Sequence, residues 1–457
     1  MSEAPLEANQ AMRLSPEASA SASASASASA SASTAAPGTA TGAQQFLTER
    51  SLALYVHMPW CVRKCPYCDF NSHQLKSASP DGSYIDALIR DFDLELPRLA
   101  GRRIDTVFFG GGTPSLFQPE DFSRLLGALR QRVAFADDAE ITLEANPGTI
   151  ERGRFAGYRD AGINRVSLGA QTFAPRALEL LGRIHSADDT HRAVAELRAA
   201  KLDNFNLDLM YALPQQTAEE AAEDVRIACA LAPAHISYYQ LTLEPGTVFH
   251  SRPPPLPDED TAWQIQSTGQ RMLAEAGYAQ YEVSAYARDG RRCRHNVNYW
   301  LFGDYLGIGA GAHGKLSFEL PQRILRTTKP KQPREYQEQV RTAGGVGVPG
   351  AAATAGGAGM SGSAPSARDT RHGTVIGDSA FIAVADLPFE FMLNALRLNE
   401  GFSVEDYRLR TGLELDSVSG RLAKAEERGL LANRGDGWCA TELGRRFLND
   451  LQAGFLA

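Results

Sequence analysis

Three of the chain's six cysteines, Cys61, Cys65 and Cys68, fall within eight residues in the stretch HMPWCVRKCPYCDFNSH, residues 57–73. Thiols at that density do redox or metal chemistry, and the spacing admits three kinds of site. Cys65-Pro66-Tyr67-Cys68 alone has the separation of a redox dithiol, which leaves Cys61 idle. A structural zinc site closes four ligands, usually as two pairs from separate places. His57 or His73 could supply a fourth ligand, but no second pair follows downstream. A cubane [4Fe–4S] cluster normally takes four cysteines. Held by three, it keeps one iron open to a small molecule, which suits chemistry better than simple electron transfer. Buried thiols without a ligand are the bland alternative, and Arg63, Lys64 and Asp69 make the loop too polar for a core.

Other polar residues interrupt apolar runs: Tyr55 just before the cysteines, Gly110-Gly111-Gly112-Thr113-Pro114, Glu144 in LEANPG, Gln171 in SLGAQTF, Arg183 in LGRIH and Asp208 in NLDLM. A glycine run is a common strand terminator, and it also lets backbone approach a ligand amino group closely. A carboxylate such as Asp208, inside the apolar residues 207–210, is costly to bury unless paired or bound.

These residues need a scaffold, and the hydrophobic pattern predicts one. Strand-like runs cover 52–57, 104–109, 141–145, 165–169, 205–210 and 235–241. Helical spacing covers 84–99, 119–133, 152–161, 175–200 and 218–231. Six βα-type units in order predict a parallel sheet, curled into a barrel or doubly wound. In a parallel barrel, ligands sit where strands end, and the polar residues above fall at or near those ends. Residues 258–276 read as a further helix and 281–286 as a strand. From about residue 389 the order helix, helix, helix, short strand (438–441), closing helix suits a small winged-helix-like α+β domain. Its third helix mixes Arg421, Lys424 and Arg428 with Glu426 and Glu427, which favours packing or a lid over DNA reading.

Residues 1–48 form a Ser/Ala-rich tail whose side chains bury too little apolar area to offset ordering entropy. Residues 341–378 read as a Gly/Ala-rich flexible insertion. The expected organisation is therefore tail 1–48, barrel 49–250, barrel extension 251–340, insertion 341–378 and C-terminal domain 379–457. With 457 residues, 43% hydrophobic and 22% charged, two or three globular domains are expected. The net charge of −8 argues against general nucleic-acid binding. Clustered rather than paired cysteines suit a reducing compartment. No run of 18 apolar residues suggests a membrane span. Glu3 and Glu7 precede Arg13 without an apolar core, unlike a signal peptide. A cytoplasmic protein is the expectation.

The C-x3-C-x2-C spacing after the first strand, with Tyr67 before the last cysteine, resembles the radical S-adenosylmethionine (SAM) superfamily. The resemblance implies an α/β partial (β/α)6 barrel. It implies a [4Fe–4S] cluster on Cys61, Cys65 and Cys68, with SAM bound at the open iron and cleaved by the reduced cluster to a 5′-deoxyadenosyl radical. YVHMPWCVRKCPYCDFNSH, FFGGGTPSLF, EANPG, NLDLMYALPQQT and HNVNYW together resemble the oxygen-independent coproporphyrinogen III oxidase-like branch, over about 50–335 and 380–457. That branch would place Tyr55, Gly111, Gly112, Thr113, Glu144, Gln171, Arg183 and Asp208 around SAM.

Within the branch, the oxidases carry a further cysteine two residues after the third ligand, where this chain has Phe70, and an ordered N-terminal cover, where it has the Ser/Ala tail. His295-Asn296-Val297-Asn298-Tyr299-Trp300 is instead similar to the H-N-x-x-Y-W signature of the HemW haem chaperones. On that resemblance His295 would ligate haem iron, Asn296 would steady the imidazole, and Tyr299 and Trp300 would offer flat apolar surface. Cys293 ranks second as a ligand, and Arg291, Arg292 and Arg294 could meet propionates. Without the resemblance, the segment better fits a turn whose His and Asn hold backbone and whose Trp fills a core. Residues 307–314 form a glycine-rich loop that either frames the pocket or simply turns. The implied function is transfer of haem to an acceptor protein, with an electron donor for the cluster and room for a homodimer. The alternative is oxidative decarboxylation of coproporphyrinogen III.

Overall fold

The computed structural model describes residues 51–76, 80, 82–149, 153–318, 324–343 and 376–456. The tail at 1–48, and most of the insertion expected at 341–378, lie outside the described residues. The predicted alternation is present: β1 (Leu52–Met58), α1 (Ser83–Glu95), β2 (Ile104–Gly111), α2 (Pro119–Arg130), β3 (Phe135–Ala145), α3 (Arg154–Asp160), β4 (Arg165–Gln171), α4 (Pro175–Leu180), α5 (Ala187–Ala199), β5 (Phe205–Tyr211), α6 (Ala218–Ala230) and β6 (His235–Gln240). Period-two alternation sorts the side chains. Leu54, Val56, Val107, Phe109, Ile141 and Leu143 join the main core, while Tyr55, Glu144, Ser167 and Asp208 occupy the opposite face. Helix starts follow local chemistry: Ser186 and Thr217 form capping boxes with Asp189 and Glu220.

Strands β1 to β6 lie side by side in sequence order, all parallel. The chain continues through α7 (Val248–Ser251), α8 (Glu259–Glu275), β7 (Ala279–Glu282), β8 (Ala285–Ala287), α9 (Arg294–Trp300), β9 (Asp304–Ile308), β10 (His313–Ser317), β11 (Ile324–Thr328), α10 (Pro333–Ala343) and β12 (Asp378–Phe381). The result is one mixed 12-stranded sheet in the order β12-β11-β10-β9-β1-β2-β3-β4-β5-β6-β8-β7. It is open: among the described residues no pairing joins β12 to β7. Its polar face nonetheless turns inward, since Glu144 on β3 feels the charge of Asp208 on β5 and acts on Tyr239 on β6.

Four elements differ from the pattern read from sequence. The helix expected over 175–200 is two, because Gly182 takes a positive φ of 68° and breaks it. The strand expected over 281–286 is the hairpin β7–β8. A seventh parallel strand, β9, extends the sheet beside β1. The HNVNYW segment is helical rather than a turn.

The C-terminal part comprises α11 (Leu387–Ala395), β13 (Phe402–Ser403), α12 (Val404–Thr411), α13 (Ser419–Glu427), β14 (Leu431–Asn433), β15 (Gly437–Ala440), α14 (Glu442–Arg446) and α15 (Leu448–Ala453). Its strands form a separate sheet, β13-β15-β14, the wing of the expected domain. Phe391, Phe402, Tyr407, Leu422 and Leu451 build its core, which Phe302 and Ile324 of the extension enter.

Candidate functional site

The cysteine loop leaves the C-terminal end of β1 and is cinched at its base. Trp60–Cys61 pairs in parallel with His73–Gln74. His73 N–H donates to the Pro59 carbonyl at 2.7 Å, and Leu75 N–H to the Cys61 carbonyl at 2.9 Å. The end of β2 braces this base, with Gly112 N–H on the Met58 carbonyl (2.8 Å) and Thr113 N–H on the Trp60 carbonyl (2.7 Å). The glycine run is needed here for contacts within the chain itself. A Cβ on Gly111 (φ +111°) would sit 2.4 Å from the His57 ring, and one on Gly112 would sit 2.5 Å from the Trp60 carbonyl oxygen.

Each thiol has a hydroxyl or guanidinium beside it. Thr113 Oγ1 donates to Cys61 Sγ at 3.4 Å, Arg183 Nη1 to Cys65 Sγ at 3.8 Å, and Ser72 Oγ lies 3.8 Å from Cys68 Sγ. Burial pushes the Cys61 thiol up, and the Cys68 thiol up to about 11. Arg183 also donates to the Gly169 carbonyl at 2.8 Å, which fixes it between β4 and the cysteine loop.

Below the thiols lie two carboxylates. Glu144 accepts from Gly111 N–H at 3.1 Å. Burial, then the charge of Asp208, pushes its carboxyl up to about 8. Asp208 accepts from Asn206 at 2.8 Å and Ser167 at 3.2 Å, and burial raises it too. Gln171 takes a left-handed φ of 68° and accepts from Tyr239 Oη at 2.8 Å. Tyr55 Oη lies 3.0 Å from His57 Nδ1. Because His57 Nε2 faces the Asn71 carbonyl at 2.9 Å, it must donate, and Tyr55 donates to Nδ1. His57 therefore has no lone pair left for a metal. Among the described residues no three Cys, His, Asp or Glu side chains converge on a single ion.

The structure thus gathers Cys61, Cys65, Cys68, Gly111, Gly112, Thr113 and Arg183 at the mouth, with Tyr55, Glu144, Gln171 and Asp208 beneath. His295, Asn296, Tyr299 and Trp300 stand one layer further from the thiols: the His295 ring lies on Phe108, whose ring is 6.4 Å from Tyr55, and Tyr55, Tyr299 and Trp300 share one apolar cluster. His295 Nδ1 pairs with Thr106 Oγ1 at 3.0 Å. Thr106 lies five residues before Gly111 on β2, about 17 Å along the strand. The His295 ring lies 5.0 Å from Phe108, its backbone N–H reaches Glu140 at 3.3 Å, and burial holds the imidazole down to about 3. Asn296 is buried as well. Trp300 is covered by the Arg397 guanidinium at 4.3 Å, and Tyr299 packs on Tyr305 at 5.0 Å. Cys293 is fully buried, its thiol pushed up to about 12 by burial. Arg292 is paired with Glu400 and Arg294 with Asp138. The segment closes the floor of the sheet, at the N-terminal ends of the strands.

The radical SAM superfamily profile matches residues 55–228, and the HemN C-terminal domain profile matches residues 382–447. The Escherichia coli protein named heme chaperone HemW is 45% identical over 406 residues, covering 89% of this chain and 98% of that protein. The Haemophilus influenzae protein of the same name is 44% identical over 409 residues, covering 89% and 98%. The chain belongs to the HemW family. The solved coproporphyrinogen III oxidase (HemN) of Escherichia coli superposes with a TM-score of 0.71 at 22% identity, over 90% of this chain and 92% of that one. The HemW family and that oxidase therefore share a fold.

Reading the sequence by residue type missed the lock on this HemW-family cysteine loop. Asn71 Nδ2 lies 2.9 Å from both the Ala310 and the Lys331 carbonyl oxygens. His73 Nε2 lies 3.1 Å from the same Lys331 carbonyl. The glycine-rich turn between β9 and β10 is thus a strut rather than a loose frame. A Cβ on Gly311 would sit 2.3 Å from Asn71 Nδ2, and one on Gly309 would sit 2.5 Å from the His57 carbonyl oxygen. The signals were in the sequence, DFNSH and GIGAGAHG, but nothing local says that they meet.

Proposed function

We propose that this chain is a haem chaperone that binds a [4Fe–4S] cluster, SAM and haem, and passes haem to an acceptor protein. The observation that carries the reading is identity of 44–45% across 98% of the length of two heme chaperone HemW proteins. The residues at the mouth fit the two resident cofactors. Three thiols on one cinched loop leave a cubane cluster with one iron lacking a protein ligand. Glu144 is raised by burial and by the charge of Asp208, and Asp208 stays raised by burial although Arg165 acts on it, so a bound positive charge would let both ionise. A sulfonium and an amino group supply that charge.

In this reading Cys61, Cys65 and Cys68 hold the cluster, and Thr113 and Arg183 stabilise two of the thiolates by donating to sulfur. Glu144, Asp208, Gln171, Arg183 and Tyr55 line the SAM pocket, and Gly111 and Gly112 let β2 close against it. The bound pair supplies one-electron cleavage of a sulfonium C–S bond when reduced. His295, Asn296, Tyr299 and Trp300 are the haem contacts of this reading; here they pack on Thr106, Phe108, Tyr305 and Arg397. The acceptor, an electron donor, a cytoplasmic location and a homodimer belong to the same proposal. In support of the location, no helix among the described residues is long and apolar enough to cross a membrane.

The test is anaerobic reconstitution, with iron and sulfide quantified, followed by haem loading and mixing with a haem-free acceptor. Haem appearing on the acceptor supports the reading. Conversion of coproporphyrinogen propionates to vinyl groups, with methionine and 5′-deoxyadenosine released, overturns it in favour of the oxidase.

A further inference from the structure

β5, which carries Asp208, runs on into ALPQQT, residues 212–217. Of the seven non-glycine residues with a positive φ among the described residues, three gather at the ends of the neighbouring strands β4 and β5: Gln171 (68°), Ala212 (54°) and Gln215 (60°). Residues with a Cβ rarely take the left-handed region, because Cβ crowds the backbone there. Such conformations persist where surrounding bonds over-determine them, and they cluster at ligand sites. The Gln171 carboxamide is fixed at its tip, where Oε1 accepts from Tyr239 Oη at 2.8 Å and leaves Nε2 as the donor. A Cβ on Gly169 would sit 2.9 Å from that Nε2 and 3.2 Å from Arg183 Nη2, so amide and guanidinium stand side by side over one glycine.

The backbone that carries this amide is held from behind by Asp224 on α6. Asp224 Oδ1 accepts from Phe173 N–H at 2.6 Å, and Oδ2 accepts from Thr172 Oγ1 at 2.7 Å and from Gln216 Nε2 at 3.3 Å. Thr172 Oγ1 in turn accepts from Ala174 N–H at 3.1 Å, and Gln216 Oε1 accepts from Leu213 N–H at 3.1 Å. One carboxylate thus ties the two residues after Gln171 to the ALPQQT turn, and so the end of β4 to the end of β5. The turn is itself fixed by Gln215 N–H on the Pro255 carbonyl at 3.1 Å. Asp224 is buried, and its three donors are all neutral. Burial pushes its carboxyl up to about 6, with Glu220 and Glu223 adding to the rise. Burying a carboxylate against neutral donors is costly, and packing alone would be served as well by an apolar residue. A carboxylate, with lone pairs on both oxygens and no proton, is the side chain that accepts all three bonds at once.

We infer that Asp224 is a positioning residue of the SAM pocket, holding Gln171 in its left-handed conformation through Thr172, Phe173 and Gln216. The assignment rests on Gln171 lining that pocket. The test is SAM binding to anaerobically reconstituted full chain, by equilibrium dialysis and by the change SAM makes in the EPR signal of the reduced cluster. It compares wild type, Asp224→Asn, Gln171→Ala, the double variant and Glu223→Gln. Asp224→Asn presents a donor where the carboxylate accepts and should weaken SAM binding about tenfold, the worth of one bond to a charged group. Its iron content and SAM-free EPR signal should be those of wild type. In the double variant the two losses should not add, because Asp224 acts through Gln171. Glu223→Gln, exposed on the same helix, should match wild type. In cluster-free protein Asp224→Asn should speed amide exchange across residues 171–174 and leave β1 and β2 unchanged. Additive losses overturn the assignment, as do unaltered affinity in Asp224→Asn, unaltered exchange at 171–174, or an equal loss in Glu223→Gln, which would trace the effect to charge on α6. Should Asp224→Asn fail to take up iron, Thr172→Val, which removes one donor to the same carboxylate, replaces it in each comparison. If wild type takes up iron yet binds no SAM, Gln171 lines no SAM pocket and the assignment falls with that reading.

Discussion

Glu144 gives the sharpest quantitative test of the pocket. Its carboxyl moves from the ordinary 4.5 to about 8 because it is buried and faces Asp208. Between those values the folded protein holds a proton that the unfolded chain releases, so stability falls as pH rises through the window. From pH 5.5 to 8 the loss is about 3 kcal/mol at one pH unit per 1.36 kcal/mol. For a chain of this size that corresponds to about 3 °C in melting temperature. Glu144→Gln mimics the protonated acid and has no proton to lose. Its melting temperature relative to wild type should therefore climb by about that amount across the window, measured anaerobically on cluster-free protein. Saturation with SAM after reconstitution should flatten the wild-type slope, because a fixed positive charge lets the carboxylate ionise. Parallel melting curves for wild type and Glu144→Gln from pH 5.5 to 8 would refute the argument that this carboxyl awaits a cation.

Three further perturbations follow from the same geometry. Thr113→Val removes a donor to Cys61 Sγ and should lower the cluster's midpoint potential by about 20–60 mV, the equivalent of 0.5–1.5 kcal/mol for one electron; an unchanged potential by redox-poised EPR would deny that contact a role. Gly111→Ala drives a methyl against the His57 ring at a positive φ and should cost about 1–3 kcal/mol, with lower iron content after reconstitution. Asn71→Ala frees two carbonyls, Ala310 and Lys331, and should speed amide exchange across residues 59–75 and loss of iron to a chelator, while leaving exchange in β4 and β5 unchanged.

The parallel units were legible because each strand is an apolar run bounded by an amphipathic helix, so β1 to β6 could be read in order. The mouth followed from that order, since period-two alternation and parallel strands put Tyr55, Glu144, Gln171 and Asp208 on one face near one end. Elements whose character depends on distant partners were not legible. β9 is a short run, Asp304–Ile308, flowing into a glycine turn, and only pairing with β1 makes it a strand. β3 starts at Phe135, but Asp137 and Asp138 disguise its first residues. The break at Gly182 was hidden because 175–200 keeps helical spacing on both sides. HNVNYW follows an antiparallel hairpin, and that reversal takes it to the floor rather than the mouth. Residue types announced histidine and aromatics suited to a tetrapyrrole; chain direction decided where they sit.

The lock on the cysteine loop also sets an order of events during synthesis. The thiols sit early in the chain, but Asn71 and His73 are held by carbonyls at 310 and 331, separated by as many as 260 residues. At 5–20 residues per second the ribosome needs roughly 12–50 s to cover that distance. A metal centre loaded in that interval would rest on a loop without its strut. Iron and sulfide delivered after residue 331 has emerged would find the loop already braced, so retention of the cluster reports that the far side of the sheet has folded.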